Sequence, residues 1–415
     1  MLFLALLILT ALWIATRGMR VWRGVADAAS ESADTPLPHY DGSAPALPKV
    51  SVVSYVLRDT DSLSEYIDIL LNQDYPLLEV VIVCDASAEA TATIAERFEN
   101  VEHLHITFIP PGSHNLSRRK LAQTVGIKAA TGDVVIITNT SVVPASQSWV
   151  SAMAEPFIAD SSVAVTLGYA RPVATDYTGP GRWYRLFDHL VDTASWMYSA
   201  LHNHAYRGDG CNMALRRSLF FENKGYASIN PLMDGDDDIF IRELSRYGDV
   251  HLQIRPESIV DTCWGEDANQ RHHDLKDRRM FTRRYLPKRP FLRQGMLSCA
   301  QWLLLICTLL TGMSALFDIQ ESETLIDYYP MLSGVAHLII THGQGPSIIL
   351  ASLAMVVLAG TWILETLTYR RMARALHGAR LCWSVVPFML WRPIGNVVFN
   401  INHRTQRKSH FTWQR

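Results

Sequence analysis

The sequence predicts an α/β domain, a mostly parallel sheet between helices, tethered by an N-terminal transmembrane anchor and a C-terminal transmembrane hairpin. Three observations carry this. From Lys49 onward, strand-like runs rich in Val and Ile alternate with segments of helical apolar spacing. Residues 1–16 carry no side-chain charge. Residues 296–317 are charge-free over 22 positions, roughly 33 Å of helix and enough to cross hydrocarbon.

The N-terminal run meets Arg17, Arg20 and Arg23. A cleaved signal peptide carries its charge before the apolar run, so residues 1–16 read as a retained anchor with the arginines on the cytosolic side. Residues 17–48, small, polar and proline-bearing, read as a linker. Residues 49–290 form the globular part. Its strands are Val50-Ser-Val-Val-Ser-Tyr-Val56, Glu79-Val-Val-Ile-Val83 and Gly132-Asp-Val-Val-Ile-Ile-Thr138. Residues 63–71 and 88–98 have helical spacing, and Asn72-Gln-Asp-Tyr-Pro76 stops the first of these. In such sheets ligands bind beyond the carboxyl ends of strands. Asp59, Asp85 and Asn139-Thr-Ser-Val-Val-Pro144 are therefore expected on one rim, although an Asp there also suits a plain turn.

Composition excludes several classes. A net charge of −2 offers no global attraction to nucleic acid. The six cysteines are scattered, giving neither a zinc pattern nor a disulfide framework, and reduced thiols are expected. A polytopic transporter fits poorly, with few spans and no lone intramembrane charge expected.

The candidate chemistry centres on Leu-Met-Asp-Gly-Asp-Asp-Asp-Ile-Phe-Ile-Arg-Glu-Leu, residues 232–244. Gly235 reads as the end of a loop and Asp236, Asp237 and Asp238 as a first helical turn, with Ile239, Phe240 and Leu244 facing a core. Two like charges about 4 Å apart repel by roughly 4 kcal/mol at an effective dielectric near 20. Such a cluster favours a raised pKa, a nearby cation, or both, and a raised carboxylate suits a general base. A solvated acidic helix cap is the other reading. Arg118, Arg119, Lys120 and Lys128 are expected on one basic helix edge suited to phosphate or to solvent, with Leu121, Val125 and Ile127 inward.

Several phrases together resemble membrane-anchored family-2 glycosyltransferases of the GT-A nucleotide-diphospho-sugar transferase fold. Asn72-Gln-Asp-Tyr-Pro76 matches a common family phrase. Val83-Cys-Asp-Ala-Ser87 resembles the Val-Asp-Asp-Gly-Ser segment that holds the nucleoside, with Asp59 in the preceding acidic place. Gly208-Asp-Gly-Cys-Asn-Met-Ala-Leu-Arg-Arg217 resembles a segment bordering the acceptor pocket, which implies a substrate-facing Asn212. The acidic cluster resembles the family's Glu-Asp pair that supplies the base, which implies Asp237 as base, with Asp236 beside it and Asp238 as second choice. Arg278 and Arg279 stand nearest to a basic motif before the membrane segments. Together with Lys120 they would offset diphosphate charge, and contact with anionic lipid is the rival role.

One departure concerns the cofactor. Asn139-Thr140-Ser141 stands where the resemblance places Asp-x-Asp, whose carboxylates grip Mg²⁺ or Mn²⁺ on the donor diphosphate. Hard cations want anionic oxygen, so metal affinity should fall at Asn139 and Ser141. Other groups then hold the metal, or cationic side chains neutralise the diphosphate, or turnover is impaired.

At the C-terminus, residues 347–368 read as a second span, followed by Arg370, Arg371 and Arg374. Residues 318–346 read as an outer loop, 381–402 as an interfacial segment, and 403–415 as a basic cytosolic tail. The implied activity is inverting transfer of a sugar from a nucleotide-diphosphate donor to a lipid-linked or glycan hydroxyl at the inner face of the cytoplasmic membrane. The alternative is an inactive scaffold of the same fold.

Overall fold

A computed structural model describes residues 2–40, 47–56, 63–85, 92, 95–99, 101–109, 117–173, 181–262, 268–328, 333–376 and 385–410. Asp59 and most of the 88–98 helix candidate lie outside these residues. The chain divides into two units, Gly24–Pro287 with Ala373–Arg380 and Val398–Arg415, and Met1–Arg23 with Lys288–Met372 and Leu381–Val397.

At the N-terminus, helix α1 (Leu2–Trp13) passes through a π turn (Ile14–Gly18) into α2 (Arg20–Asp34). Helix α2 replaces much of the linker expected at 17–48. Its apolar residues Val21, Trp22, Val25, Ala26 and Ala29 recur at helical spacing and are buried, a stripe that the small, polar composition masks.

The larger unit holds β1 (Val50–Val56), α3 (Leu63–Leu71), β2 (Leu78–Cys84), β3 (Leu104–Phe108), α4 (Arg118–Ala129), β4 (Val134–Asn139), β5 (Val142–Pro144), α5 (Trp149–Ala159), β6 (Val163–Leu167), β7 (Ala170–Pro172), α6 (Arg182–Ala200), β8 (Met213–Arg216), α7 (Arg217–Glu222), α8 (Ile239–Leu244), β9 (Asp249–Leu252), β10 (Val260–Thr262) and α9 (Ala268–Thr282). Among the described residues a seven-stranded sheet runs β3-β2-β1-β4-β8-β6-β9, and a three-stranded sheet runs β5-β10-β7. Strands β3, β2, β1 and β4 are parallel, and β8 is antiparallel to both β4 and β6. The mostly parallel sheet read from the sequence is present.

Strand β1 is buried along its whole length, as a central parallel strand covered on both faces must be. Its two serines are bonded: Ser51 Oγ donates to Glu79 Oε2 at 2.5 Å and Ser54 Oγ to Tyr66 Oη at 3.1 Å. Register sets the rim, with Tyr55 opposite both Val83 and Asn139. The carboxyl ends of β1, β2 and β4 therefore finish together, delivering Asp85 and Asn139 to one side.

Helix α4 packs on β1 and β2 through Ala122, Gln123, Gly126 and Ile127, not through the expected Leu121 and Val125, which stay half-buried. A β-carbon at Gly126 would stand 2.3 Å from Val53 Cγ1 and 2.9 Å from Val83 Cγ2, so only glycine lets this helix approach so closely.

In the second unit, α10 (Lys288–Tyr328) and α11 (Ser333–Ala375) are continuous helices through most of the 318–346 stretch expected as a loop. Helix α12 spans Val385–His410. Among the described residues three helices are long and apolar enough to cross a membrane, within Leu2–Asp34, Lys288–Phe317 and Ser347–Ala375. Val385–Ile401 is apolar but shorter. The span from Ser347 does contain a charged residue, against expectation. Glu365 is buried, and Gln301 Nε2 donates to its Oε1 at 3.0 Å, which satisfies the carboxyl inside the bundle. The described cysteines, Cys84, Cys211, Cys299 and Cys307, are free thiols.

The tight seat of α4 gives a test. Gly126→Ala should destabilise the larger unit by about 1–3 kcal/mol through overpacking, seen as a lower midpoint of thermal or denaturant unfolding. An unchanged midpoint would mean that β1 and β2 give way freely.

Candidate active site

The acidic stretch is a loop, not a helical turn. Gly235 has φ +116°, a backbone conformation open to glycine, and the helix begins only at Ile239. Asp238 is the N-cap: its Oδ1 accepts from the Ile239 N–H at 2.7 Å, while Oδ2 lies 3.5 Å from Arg207 Nη2. The cap side chain must fold back on its own helix, so Asp238 is withdrawn and buried. Phe240, Ile241 and Leu244 face the core, and Ile239 is only half-buried.

Asp236 is also buried. It forms an ion pair with Arg119 and lies 3.4 Å from Gln123 Nε2. Asp237 keeps a carboxylate with 17% exposure, 2.7 Å from Arg278 Nη2. Arg278 Nε also lies 3.1 Å from Asp234, which is 3.5 Å from Arg119. Two arginines from two helices thus clamp one acidic loop. The loop is further tied by the Gly208 N–H donating to the Asp237 carbonyl at 2.9 Å.

The expected basic edge of α4 is divided among partners. Arg118 grips Asp85 through both carboxylate oxygens. Lys120 is buried, and its Nζ donates to the carbonyls of Ile229 at 2.6 Å and Leu232 at 2.5 Å. This corrects the diphosphate role expected for Lys120: the ammonium braces the loop before the acidic cluster. Burial lowers its pKa to about 8. Lys128 is exposed. Asn212, expected to face substrate, is fully buried instead. Its Nδ2 donates to the carbonyls of Tyr169 and Ser258 at 3.0 and 2.8 Å, and its Oδ1 accepts from Trp149 Nε1 at 3.0 Å. An amide can join three segments in this way, so the polarity that suggested a ligand is spent on the scaffold. Arg279 points to Asp209 and Asp192, at 3.6 and 3.9 Å. It is absent from the cavity wall, which corrects its expected place beside the diphosphate.

A cavity of about 530 Å³ opens in front of the loop. Its wall includes Tyr55 and Asn139-Thr140-Ser141 from the strand rim, Asp209 and Cys211, Asp236 and Asp237, and Arg119. Helix α9 contributes Arg271, Asp274, Leu275 and Arg278. That is spacing i, i+3, i+4, i+7, one helical face. The sequence reading passed over Arg271, Asp274 and Asp209. The helical periodicity of residues 271–278 was the signal for the first two, whereas nothing local marks Asp209.

The carboxylates differ in charge state. Burial raises the cost of ionising Asp237, but the guanidiniums of Arg278, Arg119 and Arg207 outweigh it and hold this group below the usual 3.8. Burial and the neighbouring Asp237 push Asp238 up to about 6. Burial raises Asp234 despite Arg278 and Arg119. The raised pKa expected within the cluster therefore falls on Asp234 and on the capping residue, and Asp237 stays ionised.

Asn139 and Ser141 are poor ligands for a divalent cation. Asn139 Oδ1 accepts from the Ser141 N–H at 2.8 Å, and its Nδ2 donates to Tyr55 Oη at 3.0 Å. Ser141 Oγ accepts from Arg271 Nη1 at 2.9 Å. Among the described residues no three His, Cys, Asp or Glu side chains are grouped to hold a metal ion. The residues present do not fit the metal that the Asp-x-Asp place implies.

Residues 51–221 match the family described as glycosyl transferase family 2. The match ends before the acidic loop and α9. No curated protein matches the chain. Among solved structures, a mannosyltransferase from Pyrobaculum calidifontis, in complex with GDP-Man and Mn²⁺, is 18% identical over 84% of this chain and 98% of its own, with a TM-score of 0.44. TarS of S. aureus is 17% identical over 55% of this chain and 38% of its own, with a TM-score of 0.36. Glucosyl-3-phosphoglycerate synthase of Mycobacterium tuberculosis, in complex with phosphoglyceric acid, is 15% identical over 50% and 70%, with a TM-score of 0.32.

Asp209 gives a pH test. Burial outweighs Arg279 and the Ala170 N–H and pushes its pKa up to about 6 from 3.8. A folded-state value above the unfolded one contributes stability that is fully present below the unfolded value and is lost as pH rises through the folded value. Asp209→Asn should therefore flatten the fall in thermal midpoint between about pH 4 and pH 7. An unaltered slope would show that Arg279 neutralises the buried charge.

Proposed function

We propose that this chain, whose residues 51–221 match glycosyl transferase family 2, is a glycosyltransferase that moves a sugar from a nucleotide-diphosphate donor to a hydroxyl acceptor by single displacement, with Asp237 as base. The observation that carries this is the division of labour in the acidic loop. Asp236, 1% exposed, is consumed by Arg119 and Asp238 by its own helix, whereas Asp237 keeps a partly exposed carboxylate, 17% accessible, on the cavity wall.

Asp237, kept ionised by its arginines, accepts the proton of the acceptor hydroxyl. The oxygen attacks the anomeric carbon from the side opposite the diphosphate, the bond to the diphosphate oxygen breaks, and configuration inverts. Geometry selects this base ahead of basicity. Arg278 holds Asp237 in place, donating from Nη2 to its carboxylate at 2.7 Å. The nucleoside end of the donor belongs at the rim shared by β1, β2 and β4, the side of Asp85 and Asn139. Switch points of this kind are where open parallel sheets bind ligands.

The acceptor is proposed to be a lipid-linked or growing glycan, because the domain is continuous with helices long enough to span a bilayer. The clusters Arg17, Arg20, Arg23 and Arg370, Arg371, Arg374 support a cytosolic domain by the positive-inside rule.

Purified full-length protein should release nucleoside diphosphate from a panel of nucleotide sugars in the presence of membrane-lipid extract. Asp237→Asn should lower that release by about 100-fold or more, at the level of a lost general base, with donor affinity within about threefold of wild type since the donor sits against other groups. Asp238→Asn should act mainly on stability. Full turnover in Asp237→Asn would remove this residue from the mechanism. Silence of the wild-type protein with every donor and metal would favour a scaffold.

A further inference from the structure

A cationic side chain reaches Ser141, in the segment where the resemblance places Asp-x-Asp. The register of β4 brings Asn139 to the rim, and the Asx turn that follows presents Ser141 to the cavity. Arg271, in the first turn of α9, reaches across and donates from Nη1 to Ser141 Oγ at 2.9 Å. Seven residues later on the same face, Arg278 holds Asp237. These two arginines are about 10 Å apart along the helix axis at 1.5 Å per residue, and they face different ends of the site.

Their pairing differs. Arg278 has Asp234 and Asp237 within 3.1 Å, and Arg119 has Asp234 and Asp236. Arg118, Arg207 and Arg279 also have carboxylate partners. Among the described residues no carboxylate stands within ion-pair distance of Arg271. Its contact is a neutral hydroxyl. Asp274, one turn along the same face, turns its Oδ1 to Gln270 Nε2 at 2.8 Å. A guanidinium on a cavity wall, anchored by a neutral group and without a counterion among the described residues, is suited to receive an anion. Its planar fork matches phosphate oxygens, and its charge is fixed at any working pH. The same guanidinium would repel a divalent cation brought to Ser141.

We propose that Arg271, seated on Ser141, takes the place of the divalent cation and holds the donor diphosphate directly, so that donor binding needs no metal. This rests on the donor reading given above and deepens it. Arg271 is then a binding residue at the leaving-group end, and Arg278 a residue that positions the base.

The test is equilibrium binding of uridine and guanosine diphosphates to full-length protein in detergent, after chelation and again with Mn²⁺ or Mg²⁺. Whichever diphosphate binds should do so equally well in chelator, within about twofold. Arg271→Ala should weaken it roughly 10- to 100-fold, the worth of a charge-assisted hydrogen bond. Arg271→Lys should recover part of the loss, and the matching nucleoside should lose little in either variant. Thermal midpoints within a degree or so of wild type would show that the variants are folded. If chelator abolishes binding and Mn²⁺ restores it, or if Arg271→Ala binds as wild type does, the proposal is overturned while the donor reading stands. If neither diphosphate nor any other nucleoside diphosphate binds with any metal, the donor reading itself falls, and this proposal with it.

Discussion

Two guanidiniums hold an acidic loop that would otherwise spring apart. Asp234, Asp236 and Asp237 converge within a few residues, and burial alone would drive protons onto Asp234 and Asp237. Arg119 from α4 and Arg278 from α9 bridge them pairwise. Removing one partner of such a buried pair typically costs about 3–5 kcal/mol, because an uncompensated charge stays behind. The clamp also ties the sheet to its surroundings, since α4 is seated on β1 and β2 through Gly126 and α9 carries the opposite wall. The position of the carboxylate on the cavity wall thus follows from sheet packing through α4, and from the helical repeat of α9.

The clamp also separates two properties usually sought in one residue. A base is expected to have a raised pKa, yet within the Asp236–Asp238 trio the group pushed upward, Asp238, is turned away to cap a helix. The accessible group, Asp237, is surrounded by arginines and stays charged. As the proposed base, Asp237 would be weak in water. In a displacement the acceptor hydroxyl becomes acidic only as its bond to carbon forms, so a modest, well-aimed carboxylate serves if it is desolvated and fixed.

The fold was legible in the sequence because buried parallel strands advertise themselves: Val50–Val56 and Val134–Asn139 are nearly continuous apolar runs. The acidic loop was legible as a cluster, but not the roles within it, since which of three adjacent carboxylates caps the helix depends on the φ of Gly235. Lys120, read from a basic helix edge, and Asn212, read from a family-like segment, are both spent on backbone carbonyls, and no periodicity reveals that. Arg271 was hidden because its partner, Ser141, is 130 residues away. Helix α2 was missed because its alanines and serines look like linker until the spacing of its apolar residues is counted.

The Gln301–Glu365 contact has a geometric consequence for the membrane helices. Successive residues on a helix are turned by about 100°, so rotating α10 or α11 by a single position would carry an amide or a carboxyl group out into hydrocarbon. Buried apolar groups such as Leu304, Ala354 and Leu358 give no such penalty on sliding. One polar contact among them acts as an index pin, fixing the azimuth of each helix where greasy packing would leave it free.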